Sequence, residues 1–300
     1  MAIMILSRGK CGLSVCTTRY LVAMAAADLW SIIITVIIWR IIFYYIPGSI
    51  LEVTPVCAVI AGLFLFITDC SVWFTVAFSF DRFIAICCNK WKAKYCSGKV
   101  AAAVLATVCI LFCCKNVPIY FTLEAEKLVD GVPWGCPRKP SYFTEPGWVA
   151  YDCLDKVLCP LLPFALILLL NALTVRHILV ANKIRKRLRG HGTEEKISDP
   201  EMENRRKSVV LLFALSGNFI LLWLVYVIYF FHYVIAQIDP EHDTDSTFIF
   251  QQISFMLLTL SCCTNTFIYA VTQTKFREQL QSALKYPIIT IIQLGMVRNR

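Results

Sequence analysis

Asp28, Asp69, Asp81, Arg82 and Lys115 each stand in a stretch that is otherwise apolar. A charge held away from water costs several kcal/mol unless it is paired, neutralised by a proton, joined by an ion or placed at a wet boundary. The chemistry open to these residues is therefore electrostatic: ion pairing, cation capture or proton uptake. Covalent chemistry finds no support, because the chain has no H-E-x-x-H, no G-x-S-x-G and no dinucleotide fingerprint. Most of the 15 cysteines sit inside apolar runs, often adjacent as in Cys87-Cys88, Cys113-Cys114 and Cys262-Cys263. Neighbouring thiols suit a single metal poorly and pack well as small hydrophobes, so no metal site is expected.

Long apolar elements must position these charges. Hydrophobic residues form 58% of the 300, and the mean hydropathy is +0.66, well above a soluble domain. A hydrocarbon core of roughly 30 Å takes about 20 helical residues. Runs of that kind lie at Leu21–Ile46, Val56–Ile86, Val100–Leu123, Val157–Leu179, Val209–Ala236 and Phe248–Thr272. The opening MAIMIL is too short to cross and reads as the last turns of another helix. The expectation is an all-α bundle: six complete spans, a seventh helix present only as its end at residues 1–6, and a short amphipathic helix after the last span. The whole of 1–300 reads as one domain.

Lysines and arginines orient the bundle. Segments 7–19, 83–99, 176–208 and 273–300 hold 3, 4, 10 and 5 of the 29. The opposite loops and helix ends hold Arg40, Lys115, Lys127, Arg138, Lys139 and Lys156, and the acidic Glu124, Glu126, Asp130, Asp239, Glu241, Asp243 and Asp245 gather there too. Positive residues stay in the cytoplasm, which puts the four basic segments inside, the carboxyl terminus with them and the amino terminus outside. The net charge of +9 then reports sidedness and calls for no nucleic acid. Asp81 and Arg82 fall at the cytoplasmic mouth of their helix.

Other stretches carry weaker signals. Cys57 opens its span on the outer side, and Cys136 lies in a loop-like outer stretch, 124–156. An oxidising exterior favours a bridge between them, with a free Cys136 or a pairing to Cys153 or Cys159 as alternatives. Residues 180–208 read as a charged cytoplasmic loop whose basic ends extend the flanking helices. In 274–300, Phe276, Leu280 and Leu284 share one helical face, which suits a helix on the inner leaflet. Asp69 lies about 18 Å outward of Asp81, and Lys115 about 24 Å outward of Lys99, at the helical rise. The lysine stem spans that difference, so Asp69 and Lys115 read as a buried pair, or else as the binding point of a zwitterion.

The chain resembles the rhodopsin-like G-protein-coupled receptors over nearly its whole length. DRF at 81–83 is similar to that family's D/E-R-Y motif, and Cys57 keeps the family's spacing to Arg82. LVAMAAADL at 21–29 resembles the second-helix motif and places Asp28 at the buried acidic position. Pro163 matches the fifth-helix proline, FILLW at 219–223 the sixth-helix aromatic motif, and NTFIY at 265–269 the N-P-x-x-Y motif. The AAAD, the WFTV run before DRF and Asn171 after Pro163 are similar to the orphan group around probable G-protein-coupled receptor 139.

The resemblance implies roles. Asp81, Arg82, Phe83, Phe219, Trp223, Asn265, Tyr269 and Pro163 would form the switch that couples to a heterotrimeric G protein. Asp28, Ser71, Ser261 and Asn265 would hold an allosteric sodium ion, the one cofactor implied. Phe64, Thr68, Tyr226, Phe230, Gln251 and Phe255 would line an outer pocket with Arg40 at its rim, for an extracellular small molecule or short peptide. Phe64 stands where amine receptors carry an aspartate, which disfavours a biogenic amine. The resemblance also implies a multi-pass plasma-membrane protein.

Several positions depart from the family. Val225 and Thr266 replace helix prolines, Asn171 replaces a tyrosine, and Arg205 falls where an acidic partner of Arg82 is usual, which predicts a weak resting lock and basal signalling. Rival readings are a receptor-like protein that does not signal and a secondary transporter; the transporter lacks support from internal repeats or Gly/Pro-broken helices.

Overall fold

The computed structural model describes residues 1–9, 11–189, 200–236 and 245–285. Among the described residues, six helical stretches are long and apolar enough to cross a membrane: Val15–Tyr45, Thr54–Cys87, Gly98–Thr122, Pro146–Ile184, Arg206–His232 and Thr247–Thr272. The short helix α1 (Ala2–Ser7) packs on α2 (Val15–Ile32) and buries Ile5 and Leu6.

Local chemistry sets where the spans begin. Helix α2 starts before Leu21 because Ser14, in an extended conformation, accepts the Thr17 N–H at 3.2 Å and caps the first turn. Beyond Ile32 the chain continues in wide turns over Ile33–Ile42 and ends in the single turn α3 (Phe43–Tyr45). Helix α4 (Thr54–Cys87) carries Pro55 in its first turn, where the missing N–H does no harm. After α5 (Asn89–Tyr95), Ser97 caps α6 (Gly98–Asn116) through the Val100 N–H at 3.3 Å. A tight 3-10 stretch, Val117–Thr122, completes that span.

The stretch 124–156 is more ordered than its loop-like composition predicts. Strands β1 (Lys127–Val129) and β2 (Val132–Trp134) pair antiparallel with Val129 opposite Val132. Asp130 and Gly131 turn the hairpin with φ of 53° and 77°, the positive values a two-residue primed turn demands. Then come α7 (Ser141–Thr144) and α8 (Pro146–Lys156), so the fifth span begins at Pro146 and not at Val157. A wide turn, Val157–Leu161, joins α8 to α9 (Leu162–Arg189). Cys159 leaves helical geometry there (φ −152°, ψ 105°), as a residue preceding proline tends to do. Trp73 of α4 donates to the Leu158 carbonyl at 3.0 Å, which satisfies an acceptor the break exposes. The family resemblance puts the fifth-helix proline at Pro163, but the break falls earlier, at Cys159-Pro160; Pro163 sits in the first turn of α9, where proline is tolerated.

Helices α10 (Pro200–Ala236) and α11 (Asp245–Thr272) run unbroken through Val225 and Thr266, which keep the backbone N–H that a proline lacks. Helix α4 packs against α2, α6, α9 and α10, and α10 against α11. The largest core cluster sits toward the Arg82 end, with Tyr20, Met24, Phe78, Leu211, Leu215, Tyr269 and Phe276. A second core holds Val72, Val76, Ile167, Phe219 and Trp223. Leu221, Met256, Phe267 and Val271 are 70–76% exposed on the outer faces, as befits helices packed against lipid.

Residues 274–285 form a further helix, α12. Phe276, Leu280 and Leu284 do not share a lipid-facing stripe. Phe276 is fully buried with its ring 5.9 Å from that of Tyr269, Leu280 leans on the same core, and Leu284 is exposed. Phe276 and Leu280 tie the helix to the bundle, because the chain folds back onto the core just after α11.

Cys57 and Cys136 form a disulfide with Cα atoms 6.1 Å apart, linking the start of α4 to the chain just after β2. The Gly135 N–H donates to the Glu52 carbonyl at 2.8 Å, and Thr54 Oγ1 donates to the Gly135 carbonyl at 2.7 Å, so the bridge and two hydrogen bonds clamp the hairpin over the bundle. Replacing both cysteines (Cys57→Ser with Cys136→Ser) is expected to cost about 2–4 kcal/mol of stability. A lowered melting temperature of the purified protein in detergent checks it.

Candidate functional site

Three clusters of buried polar groups lie along the bundle. At the basic end, Asp81 and Arg82 are 5% and 7% exposed. Arg82 Nε donates to Asp81 Oδ2 at 3.0 Å, and Nη2 pairs with the same oxygen. Nη1 donates to Ser208 Oγ of α10 at 3.1 Å, and the guanidinium carbon lies 5.9 Å from the Phe78 ring centre. Asp81 also accepts from Cys16 Sγ of α2 at 2.9 Å. Cys96 Sγ donates to the Asp81 carbonyl at 3.5 Å, and burial, then the Asp81 charge, pushes this thiol up to about 12. Phe83 is half-buried on the next position of α4. Ser208 and Cys16 escaped the sequence reading, which looked for an ionic partner and passed over a hydroxyl and a thiol. The side chain of Arg205, expected to repel Arg82, lies outside the described residues.

Midway along the bundle, Asp28 is 5% exposed. It accepts from Ser71 Oγ of α4 at 3.1 Å and from Asn265 Nδ2 of α11 at 2.8 Å. Ser261, one turn before Asn265, is buried, and its carbonyl accepts from Asn218 Nδ2 at 3.5 Å. Asn218 also accepts from Thr264 Oγ1 at 2.9 Å, so α10 and α11 are tied beside the carboxylate. Tyr269 is fully buried, and its hydroxyl has no hydrogen-bond partner among the described residues. Phe219 and Trp223 stack at 5.0 Å, and Ser216 Oγ donates to Asn171 Oδ1 at 3.1 Å across α10 and α9.

Toward the disulfide end, Lys115 of α6 lies 2.8 Å from Asp69 Oδ2 of α4 and also pairs with Asp155 of α8. Asn116 Nδ2 donates to Asp69 at 2.7 Å and to the Phe112 carbonyl at 2.9 Å. Tyr151 donates to the Lys115 carbonyl at 2.9 Å. The sequence placed Asp155 in an outer loop and so missed it; α8 instead carries it down into the bundle. Asn116 was legible only as the neighbour of Lys115.

A cavity opens on this cluster, and a second lies nearer the disulfide. The inner one, about 100 Å³, is lined by Phe64, Thr68, Asp69, Asp155, Trp223, Tyr226 and Phe255 among others, and it reaches Ser71 beside the Asp28 cluster. The outer one, about 260 Å³, lies under the disulfide between Trp39, Phe64, Leu65, Ile119 and Arg138. Of the expected pocket residues, Phe64, Thr68, Tyr226 and Phe255 line the inner cavity. Arg40, Phe230 and Gln251 line neither. Arg40 is exposed, because each wide turn over Ile33–Ile42 adds a residue and swings later side chains by about 100° round the axis. Phe230 instead lies 6.0 Å from the Lys156 ammonium. On the Gln251 side, the edge-on pair Tyr229–Phe250, ring centres 5.6 Å apart, packs α10 against α11.

Residues 1–269 match the family described as the 7 transmembrane receptor (rhodopsin family). The chain belongs to that family: it is a multi-pass membrane protein of the rhodopsin-like G-protein-coupled receptors, with the family's helix bundle, and such proteins are signalling receptors and not enzymes.

The triad permits a direct test. Lys115→Met leaves two carboxylates facing each other in a dry site and is expected to cost about 3–5 kcal/mol. Adding Asp69→Asn and Asp155→Asn should recover most of that loss, read as cell-surface expression and melting temperature; recovery with one of the two changes alone would show that the other carboxylate is not coupled to the lysine.

Proposed function

We propose that this chain binds a small molecule or short peptide from outside the cell and relays that event to a heterotrimeric G protein in the cytoplasm. Arg82 carries the reading. Its guanidinium is buried between the neighbouring carboxylate and a hydroxyl of α10, and each of its three nitrogens donates to one of them. Outward movement of α10 would break the Ser208 contact and free charge-assisted donors for a partner's backbone. With positive residues inside, this end faces the cytoplasm and the carboxyl terminus lies there.

The switch extends upward through Phe219 and Trp223 to the inner cavity, so a ligand touching Trp223 and Tyr226 would press on the same helix that holds Ser208. Asp28, with Ser71, Asn265 and nearby Ser261, would take a hydrated sodium ion that favours the closed form. The sequence runs shared with the group around probable G-protein-coupled receptor 139 support placing the receptor beside that group.

Nucleotide exchange on a panel of G proteins, in membranes carrying this chain, tests the proposal. Exchange is expected above that of membranes lacking the chain, and Arg82→Gln should lower it about tenfold or more, since bonds to a charged donor are worth about 1.5–3 kcal/mol. Ser208→Ala should raise ligand-independent exchange severalfold by removing the resting tie. Undiminished exchange in Arg82→Gln would overturn the assignment. Sodium chloride, against an equal concentration of the bulky N-methylglucamine salt, should reduce exchange in the unaltered protein and leave Asp28→Asn unaffected; an equal reduction in both would remove Asp28 from the ion site.

A further inference from the structure

The charges around the inner cavity do not balance. One ammonium, Lys115, faces two carboxylates, Asp69 and Asp155, and it is the one cation among the described residues that reaches them. The hydrogen-bonding inventory is unbalanced in the same direction. Lys115 offers three N–H groups and the two carboxylates offer four oxygens with several acceptor sites. Asn116 spends its amide hydrogens on Asp69 and on the Phe112 carbonyl. Its Oδ1 is buried and meets no donor among the described residues. The threonines do not help: Thr68 and Thr259 line the cavity but give their hydroxyl hydrogens to the carbonyls of Phe64 and Phe255 one turn earlier.

A cavity walled by aromatic rings thus ends on two carboxylates that share a single ammonium, one positive charge short of balance. Asp155 is the accessible member of the corner, with 23% side-chain exposure against 4% for Asp69. An anionic group entering here would meet two carboxylates before the lysine they already hold. The geometry points to a ligand with a protonated amine, docked on Asp155 at the Asp69–Lys115 cluster, with a small apolar body against Phe64, Tyr226 and Phe255. Phe64 takes a charge away from one part of the wall, and Asp69 and Asp155 supply it at another, deeper part. This inference rests on the receptor reading and names the class of ligand for its cavity.

The probes are phenethylamine, its neutral counterpart 2-phenylethanol and its anionic counterpart phenylacetate, together with methylammonium, each at millimolar concentration against purified full-length protein in lipid nanodiscs. The melting temperature is read for the unaltered protein and for Asp155→Asn, whose shape is conserved and whose folding is checked by its own melting temperature without additive. Stabilisation by phenethylamine and not by the alcohol or the acid is expected, with a shift in half-effect concentration of tenfold or more in Asp155→Asn. A second variant, Phe230→Ala, which alters a ring outside the cavity, should respond as the unaltered protein does. Equal stabilisation by amine and alcohol, preference for phenylacetate, unchanged response in Asp155→Asn, or no response to either amine would each overturn the inference. Should Asp155→Asn not fold, protection of a charge-directed carboxylate label at Asp155 by phenethylamine in the unaltered protein decides it, and absence of protection counts against. Failure here with nucleotide exchange intact sinks the amine alone; amine binding without exchange sinks the signalling.

Discussion

Charges inside hydrocarbon must find their partners within the protein, and this constraint shapes the bundle. Asp81, Arg82, Asp28, Asp69 and Lys115 are each met by groups from other helices. The Arg82 contacts join α2, α4 and α10; those of Asp28 join α2, α4 and α11; those of Lys115 join α4, α6 and α8. Lipid offers little hydrophobic drive for one helix to choose another, so polar contacts of this kind add selectivity to close packing. Helix α4 enters all three clusters, and its central position in the packing follows from that.

The same constraint explains the irregular backbone. The break at Cys159 and the wide turn around it let α8 tilt Asp155 toward Lys115 while α9 continues along the bundle. The exposed carbonyl of Leu158 is met by the Trp73 indole, as a backbone acceptor in a low-dielectric region must be. The hairpin turned by Asp130 and Gly131 is held over the bundle by the disulfide and by Thr54, so the outer cavity has a roof of fixed composition.

The helix bundle was legible in the sequence because apolar runs of sufficient length and the placement of basic residues are strong, one-dimensional signals. Asp69 with Lys115 was legible because a charge in an apolar run advertises its need for company, while the grouping of Asp28 with Ser71 and Asn265 came from the family resemblance. Ser208, Cys16 and Asn116 were not, since a hydroxyl, a thiol or an amide within a helix carries no such mark until the helices are placed side by side. Arg40 and Asp155 show the limit most clearly. Both positions depend on departures from regular helical turns, at Ile33–Ile42 and at Val157–Leu161, whereas the family resemblance put Arg40 at the pocket rim and the loop-like composition of 124–156 put Asp155 out of the bundle.

Phe64 and Leu65 belong to the walls of both cavities. A single aromatic ring therefore acts as a partition between an antechamber under the disulfide and the acidic room beneath it. Trp39, with its ring centre 6.3 Å away, stacks on that ring, so a change of side chain at Trp39 reaches the lower room through the wall it braces.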